Sequence, residues 1–283
     1  MKKAFFARTI SQKLFPALLA LGLVILVSSP ASAAEKARLM ERWLVTDPLS
    51  TRSVDHRLWA DLLQAYVVEL PSGRTAFDYG AVTAEDKEKL DAYIAQLVRT
   101  DVDRLNRSEQ LAFWINAFNA LCVRFVLDNY PVKSISDVGG GFFSRGPWDE
   151  RVFRVYSIDL SLNDIYHRIL RPIWPDAVVH YGLSCAARGC PDIVAYPYTG
   201  PSVARALEAA ARNYINRGAG VLVVRGETVR VSSLYSWYET DFGGADAGVI
   251  AHLRRYAEPA LARQLADLRE IEDDEYDWTL NGL

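Results

Sequence analysis

Cys185 and Cys190 stand five positions apart in the run His180-Tyr-Gly-Leu-Ser-Cys185-Ala-Ala-Arg-Gly-Cys190-Pro191, which holds two of the chain's three cysteines and one of its four histidines. Two thiols so spaced can close a disulfide, exchange with other thiols, or join a metal site. Arg188 lies three residues from Cys185, and nearby positive charge favours the nucleophilic thiolate. In that reading Cys185 is the nucleophile or redox thiol. Cys190 is its resolving partner, or its disulfide partner in a structural staple of the Ala186–Gly189 loop. A staple on so short a loop contributes on the order of 2 kcal/mol by chain entropy.

A thiol nucleophile needs a proton acceptor, and His180 and His167 are the two candidates. His167 sits beside Arg168 and Arg171, where the bland reading is a histidine favoured by a helix C-terminus. A zinc site would need His180, Cys185 and Cys190 with a fourth ligand such as His167. If the run Ala177 to Leu183 is a strand, His180 and Cys185 point to opposite faces, so no metal and no cofactor is assigned. His56 and His252 read as surface or helix-face residues, and Asp241 and Asp277 as carboxylates that either orient a histidine or serve in a cap or ion pair. Asn116 and Asn119 lie three apart on the most apolar segment, and buried amides require partners. They either brace backbone or hold a reacting carbonyl. Cys122 reads as a small core residue, and Trp114, Trp237 and Trp278 as core anchors.

The elements that must position these groups follow from periodicity and caps. Leu58, Leu62, Leu63 and Tyr66 share one helix face, and Pro71-Ser72-Gly73 is a turn. Thr83 caps a helix to Val98. Asn106, with Glu109 three residues on, forms a capping box for the helix Leu111 to Leu127, which is apolar nearly all round and therefore central. Asn129-Tyr130-Pro131 stops it. Gly139 to Phe143 is a glycine-rich loop without the ending of a phosphate loop. Arg151 to Ile158 reads as a strand, Ser161 to Leu170 as a helix ended by Pro172, and Thr199 to Asn216 as another helix. Gly220 to Val231 is a hairpin, Ser232 to Gly244 follows with Trp237, Tyr238 and Asp241, and the last stretch is helical to about Arg269 with a break at Pro259. The fold expected is α+β: a helix-rich N-terminal half packed on a small mixed or antiparallel sheet, in a single globular domain.

The 283-residue chain opens with Lys2, Lys3, Arg8 and Lys13, an apolar run Leu14 to Val27, and Ala31-Ser32-Ala33. That is the pattern of a cleaved signal peptide over 1–33, and the apolar run is too short for a spanning helix. Residues 1–33 carry four positive charges and no negative one, so removing them takes the net charge from −3 to −7. An acidic surface argues against nucleic acid or anionic membrane as partner. The organisation expected is 1–33 signal peptide, 34–55 N-terminal extension that packs through Trp43 and Leu44, and 56–283 main domain. The protein is expected in a periplasm or secreted.

Several motifs, in order, resemble one family, the domain of unknown function 547 (DUF547). Leu111-Ala-Phe-Trp-Ile-Asn-Ala-Phe-Asn-Ala-Leu121 resembles its AFWINxYNAL signature, and Tyr130-Pro-Val-Lys-Ser-Ile135 the segment after it. Ser161-Leu-Asn-Asp-Ile-Tyr-His167 is similar to its SLDDIEH element, and Val179 to Cys185 with Cys190-Pro191 to its IHFALNC…SCP element. Trp237 to Phe242 and Tyr276 to Asn281 resemble its closing motifs. Phe118 replaces the usual Tyr, and Ser184 stands where Asn is common. Some relatives join this domain to a glutaredoxin-like one, which implies thiol chemistry by association. Two functions follow. One is a thiol-dependent enzyme, performing cysteine acyl transfer or hydrolysis or thiol–disulfide exchange on a small-molecule or peptide substrate or a thiol-redox partner, with Asn116 and Asn119 holding the site. The other is a non-catalytic envelope-binding domain with a structural Cys185–Cys190 disulfide.

Overall fold

An almost wholly apolar helix can be stable only if other elements cover every side of it, and that requirement organises this molecule. The computed structural model describes residues 36–139, 146–225 and 228–283. The signal-peptide reading and the loop after Gly139 lie outside them. The central helix α3 (Arg107–Asn129) buries Leu111 through Val123 without a break. Ahead of it come α1 (Arg57–Tyr66) and α2 (Ala84–Val98), and after it α5 (Val203–Asn216), with a short turn α4 (Arg171–Ile173) between. Helices α2 and α5 and the residues before α4 pack on α3. Helix α3 is long and apolar enough to cross a membrane, yet its side chains are buried inside the domain.

Strands are short. β1 (Val67–Glu69) pairs antiparallel with β2 (Thr75–Phe77), and β3 (Phe153–Val155) with β4 (Ile158–Leu160). β5 (Val221–Arg225) pairs antiparallel with β6 (Thr228–Ser232), which pairs in parallel with β7 (Glu270–Glu275). Three short helices fill the C-terminal part: α6 (Ser233–Trp237), α7 (Asp246–Tyr256) and α8 (Pro259–Gln264). The fold is α+β in one domain, as expected.

Thr83 and Asn106 cap α2 and α3 through the N–H groups of Asp86 (3.1 Å) and Glu109 (3.0 Å). The Glu109 carboxylate does not complete a capping box. It accepts from Val54 N and Gly200 N, both at 2.8 Å. A Cβ on residue 200 would collide with this carboxylate, so glycine is required there.

Four segments depart from the sequence reading. The strand at Arg151 to Ile158 is the hairpin β3–β4, turning at Tyr156 and Ser157 with φ of 50° and 68°. That left-handed pair is uncommon for such residues, and Tyr156 is held there by Asp101 (2.6 Å) and by the N–H of Asp103 (3.1 Å). Pro172 does not end its helix. A π-helical stretch, Asp164–Leu170, runs on into α4. Proline supplies no N–H, and the carbonyls of His167 and Arg168 accept instead from Arg38 N (2.9 Å) and Met40 N (3.0 Å) of the N-terminal extension. The β-rich run at Ala177 is a 3₁₀ helix, Ala177–Gly182, begun by the Asp176 carboxylate on Val178 N (3.1 Å). A Cβ at Gly182 would lie 2.6 Å from Leu207 Cδ2, so close packing on α5 selects glycine there and overrides β-propensity. Finally, helix ends at Gln264, and the acidic segment 270–275 is strand β7.

Two carboxamides on α3 fix the irregular chain beside it. Asn116 donates to Tyr198 O (2.7 Å) and accepts from Tyr198 N (3.0 Å). Asn119 donates to Gly182 O and accepts from Ser184 N, both at 2.9 Å. Each amide pairs with backbone as a neighbouring strand would. Asn119→Ala leaves two buried backbone groups unpaired and should cost about 2–4 kcal/mol in urea unfolding. Asn119→Asp, which turns the donor into an acceptor facing Gly182 O, should cost more. A loss under about 1 kcal/mol for both would show that the 182–184 backbone does not depend on this residue.

Candidate functional site

Cys185 and Cys190 are joined as a disulfide, with Cα atoms 5.8 Å apart. The loop between them is held by backbone pairing that does not involve sulfur. The C-terminal segment runs alongside: Asn281 N donates to Ala186 O (3.0 Å), Arg188 N to Thr279 O (2.8 Å), and Gly189 N to Asp277 O (2.8 Å). Arg74 donates to Arg188 O (2.8 Å) and Cys190 O (3.0 Å), and its guanidinium is fixed by nearly buried Asp192 (2.7 Å). Tyr214 closes Gly189 O at 2.7 Å. Ala186 adopts φ 61°, a left-handed conformation costing roughly 1–2 kcal/mol for a residue with a Cβ.

The two sulfurs differ. Cys190 is 2 % exposed, whereas Cys185 is half-buried. Cys190 Sγ accepts from Cys185 N at 3.1 Å and lies 2.9 Å from Tyr276 Oη, which is 3.2 Å from Cys185 Sγ. Burial pushes the Tyr276 phenol well above its ordinary value, so it keeps its proton and is a donor. Its ring packs on Trp237 (4.6 Å) and Trp278 (4.7 Å).

The imidazoles are committed elsewhere. His180 is 2 % exposed; its Nε2 lies 3.0 Å from Asp241 Oδ2 and its Nδ1 2.6 Å from Tyr166 Oη. Burial pushes His180 down, against the opposing pull of Asp241, so the ring is neutral. A carboxylate only accepts, so Nε2 carries the proton and Nδ1 accepts from Tyr166. Burial pushes the Asp241 carboxyl up, but hydrogen bonds from His180 and Arg171 outweigh it and hold it below the usual carboxylate range. Arg171 donates to Asp241 (2.6 Å), lies over the Tyr238 ring, and is 3.2 Å from His167 Nδ1. His167 is pushed down to about 3 by burial and by Arg171.

The expected site residues thus fall into two groups. Asn119 and Cys185 share one backbone stretch, since Asn119 fixes Ser184. His180 and His167 belong to a separate buried cluster, and neither hydrogen-bonds a sulfur. Asp241 orients a histidine, while Asp277 accepts from Thr279 N at 2.8 Å. His56 is not a surface residue: it is buried between Tyr93 (2.6 Å) and Asn116 (3.4 Å). Trp114 is core, but Trp278 is 39 % exposed. Cys122 is buried, and burial raises its thiol well above the ordinary value. Among the described residues no three His, Cys, Asp or Glu side chains are grouped to hold a metal. Sequence reasoning missed Tyr276, Arg74 and Tyr166. Tyr276 sits in a matching closing motif, the only signal that could have marked it, and Arg74 has none.

The family model described as "Protein of unknown function, DUF547" matches residues 102–215. Over that segment the chain is similar to the DUF547 family. The match takes in both asparagine brackets, the His180 ring and the disulfide, while Asp241 and Tyr276 lie beyond it. No curated protein and no solved structure matches the chain.

Burial lowers His56 and His252 to about 4 and His167 to about 3. An unfolded chain protonates these rings near pH 6.5, so the unfolded state binds more protons below that value. Stability should therefore be full above pH 6.5 and fall as the pH drops toward 4. Calorimetry should show Tm falling by roughly 5 °C or more between pH 7 and 4.5, with a shallower fall in His56→Gln. A flat profile would contradict the neutral, buried state of these rings.

Proposed function

We propose that this DUF547 domain is a thiol–disulfide exchange protein of an oxidising compartment outside the cytosol, with Cys185 the sulfur attacked and Cys190 the leaving group. The observation that carries this reading is the asymmetry of the two sulfurs. The more accessible one has the weaker hydrogen bonding, and the buried one has two donors able to stabilise a departing anion.

The balance of the reaction is simple. A partner thiolate attacks Cys185 Sγ, forming a mixed disulfide as the Cys185–Cys190 bond breaks. Cys190 leaves as a thiolate under Cys185 N–H and the Tyr276 hydroxyl, then takes a proton from solvent. A second partner thiol attacks the mixed disulfide, freeing the dithiol protein and an oxidised partner. Two electrons pass from partner thiols to protein, and another disulfide of the compartment reoxidises it.

Two further features support exchange over a staple. The loop keeps its backbone partners without the sulfur bond, so opening need not unfold it. The left-handed Ala186 next to the attacked sulfur is backbone strain of the kind that collects at working sites. Acyl transfer has less support, because Cys185 is oxidised and no imidazole reaches it. The basic and apolar start of the chain supports export, and N-terminal sequencing of purified protein should then begin at Ala34.

Redox titration tests the reading. Structural disulfides have midpoints below about −300 mV, and labile ones lie higher. A midpoint above about −260 mV is expected, with Cys185 alkylated first after partial reduction. Tyr276→Phe removes one donor and should lower the midpoint by on the order of 20–30 mV. A wild-type midpoint below −300 mV would make the bond a staple and the protein a binding domain.

A further inference from the structure

The disulfide loop is clamped from a distant part of the chain by the β1–β2 hairpin. Arg74, just ahead of β2, directs Nη1 to Arg188 O (2.8 Å) and Nη2 to Cys190 O (3.0 Å). Asp192 aims the guanidinium: its Oδ1 accepts from Nε (3.0 Å) and Nη2 (2.7 Å). Its Oδ2 accepts from Asn213 (2.7 Å), so both carboxylate oxygens are engaged. Thr75 extends the clamp with its hydroxyl on Ile193 O (2.5 Å). One planar fork thus ties the chain on both sides of Gly189, a geometry that a lysine ammonium cannot reproduce.

A guanidinium beside Cys190 can act on the disulfide in two opposed ways. As a free charge it would favour the Cys190 thiolate, and with it the reduced protein. As an anchor it keeps Cys190 close to Cys185 after reduction, and so favours the closed bond. The ion pair decides between these effects. The Asp192 side chain is 5 % exposed and lies 2.7 Å from the guanidinium, so the pair presents little net charge to the sulfur. The anchoring is left. Cys190 N donates to Ala187 O (3.1 Å) inside the loop, a bond that moves with the loop, whereas Arg74 fixes the loop to a separate element.

We infer that Arg74 is a positioning residue for the exchange, holding Cys190 against Cys185 and thereby setting how strongly the bond is driven closed. The inference rests on the exchange reading and adds to it what regulates the poise of the site. Without the fork, the reduced loop gains conformational freedom that the disulfide denies to the oxidised one. The effective concentration of Cys190 at Cys185 then falls. This effect is opposite in sign to that of Tyr276, which acts on the departing anion.

Equilibrium with glutathione and the course of reoxidation test it together. Arg74→Gln should lower the equilibrium constant for closing about tenfold, which raises the midpoint by about 30 mV. Arg74→Lys keeps the charge without the fork and should give a similar rise. Arg74→Gln/Asp192→Asn leaves no unpaired buried carboxylate, so it folds where the single variant fails, and should show the same rise. In reoxidation, the Cys185 thiolate attacks one sulfur of oxidised glutathione and releases the other half as a thiolate. Cys190 then gives its proton to solvent and attacks Cys185 Sγ, releasing the second glutathione. That second step should slow about tenfold in the variants, and acid trapping with mass spectrometry should show the mixed disulfide accumulating. A loss of global stability alone would not populate it. An unchanged closing constant, a larger one in Arg74→Gln, or recovery of the wild-type value in Arg74→Lys overturns the inference. The exchange reading fails separately: a wild-type midpoint in the range of structural disulfides removes it, whatever the ratio between variant and wild type. A labile wild-type bond with a ratio of one removes the role of Arg74 alone.

Discussion

The side chain of Asn119 presents one N–H and one C=O in the geometry of a peptide group, and the chain at Gly182 and Ser184 accepts it as such. This substitution of a side-chain amide for a strand lets backbone outside any sheet lie against a buried helix. Unpaired peptide groups in that position would each cost about 1–3 kcal/mol. Asn116 serves Tyr198 in the same way, and Glu109 uses its carboxylate on Val54 and Gly200. One helix thus carries its own apolar packing and the polar partners of three irregular segments. The cysteine loop begins one residue beyond the stretch that Asn119 holds, so the position of Cys185 depends on it.

The same helix explains where ionisable groups lie. His180 lies within a 3₁₀ turn pressed on α5, and only neutral imidazole is tolerated at that depth. Asp241 and Arg171 form the charged pair, and His180 and Tyr166 extend from it as neutral hydrogen-bonding groups. A buried ion pair is stable only when its remaining donors and acceptors are also satisfied. Here Tyr238 under Arg171 and the hydroxyl of Tyr166 help complete the set. The cluster therefore works as a polar joint between the π-helical segment, the 3₁₀ turn and the residues after α6.

How much of this was legible in the sequence depends on whether the cause was local. The caps at Thr83 and Asn106, the buried α3, the hairpin of β5 and β6 and the α+β class follow from patterns a few residues long. The segment at Ala177 misled because Val178 and Val179 favour strands by local propensity, whereas contact of Gly182 with Leu207 and Ile115 decides its form. Pro172 misled for the same reason: its missing hydrogen bond is replaced from residues 38 and 40, far away in the chain. The two asparagines were legible as buried amides needing partners, but not which partners. Tyr276 was not legible as a sulfur ligand, because nothing near residue 276 marks a contact with residues 185 and 190.

Whether the disulfide is a staple or a reagent turns on what its closure adds. Closing a loop this short contributes on the order of 2 kcal/mol to the folded state, a modest term against a loop whose carbonyls and N–H groups are already paired with Arg74, Tyr214 and the C-terminal segment. On the exchange reading, a backbone so fully held would let the reduced protein keep the same geometry, with the effective concentration of one sulfur at the other high in both directions. Such a bond can open and close with little conformational change, its equilibrium set by the hydrogen bonds around each sulfur. In the exchange proposed above, those bonds would favour Cys190 as the buried anion and leave Cys185 as the point of entry.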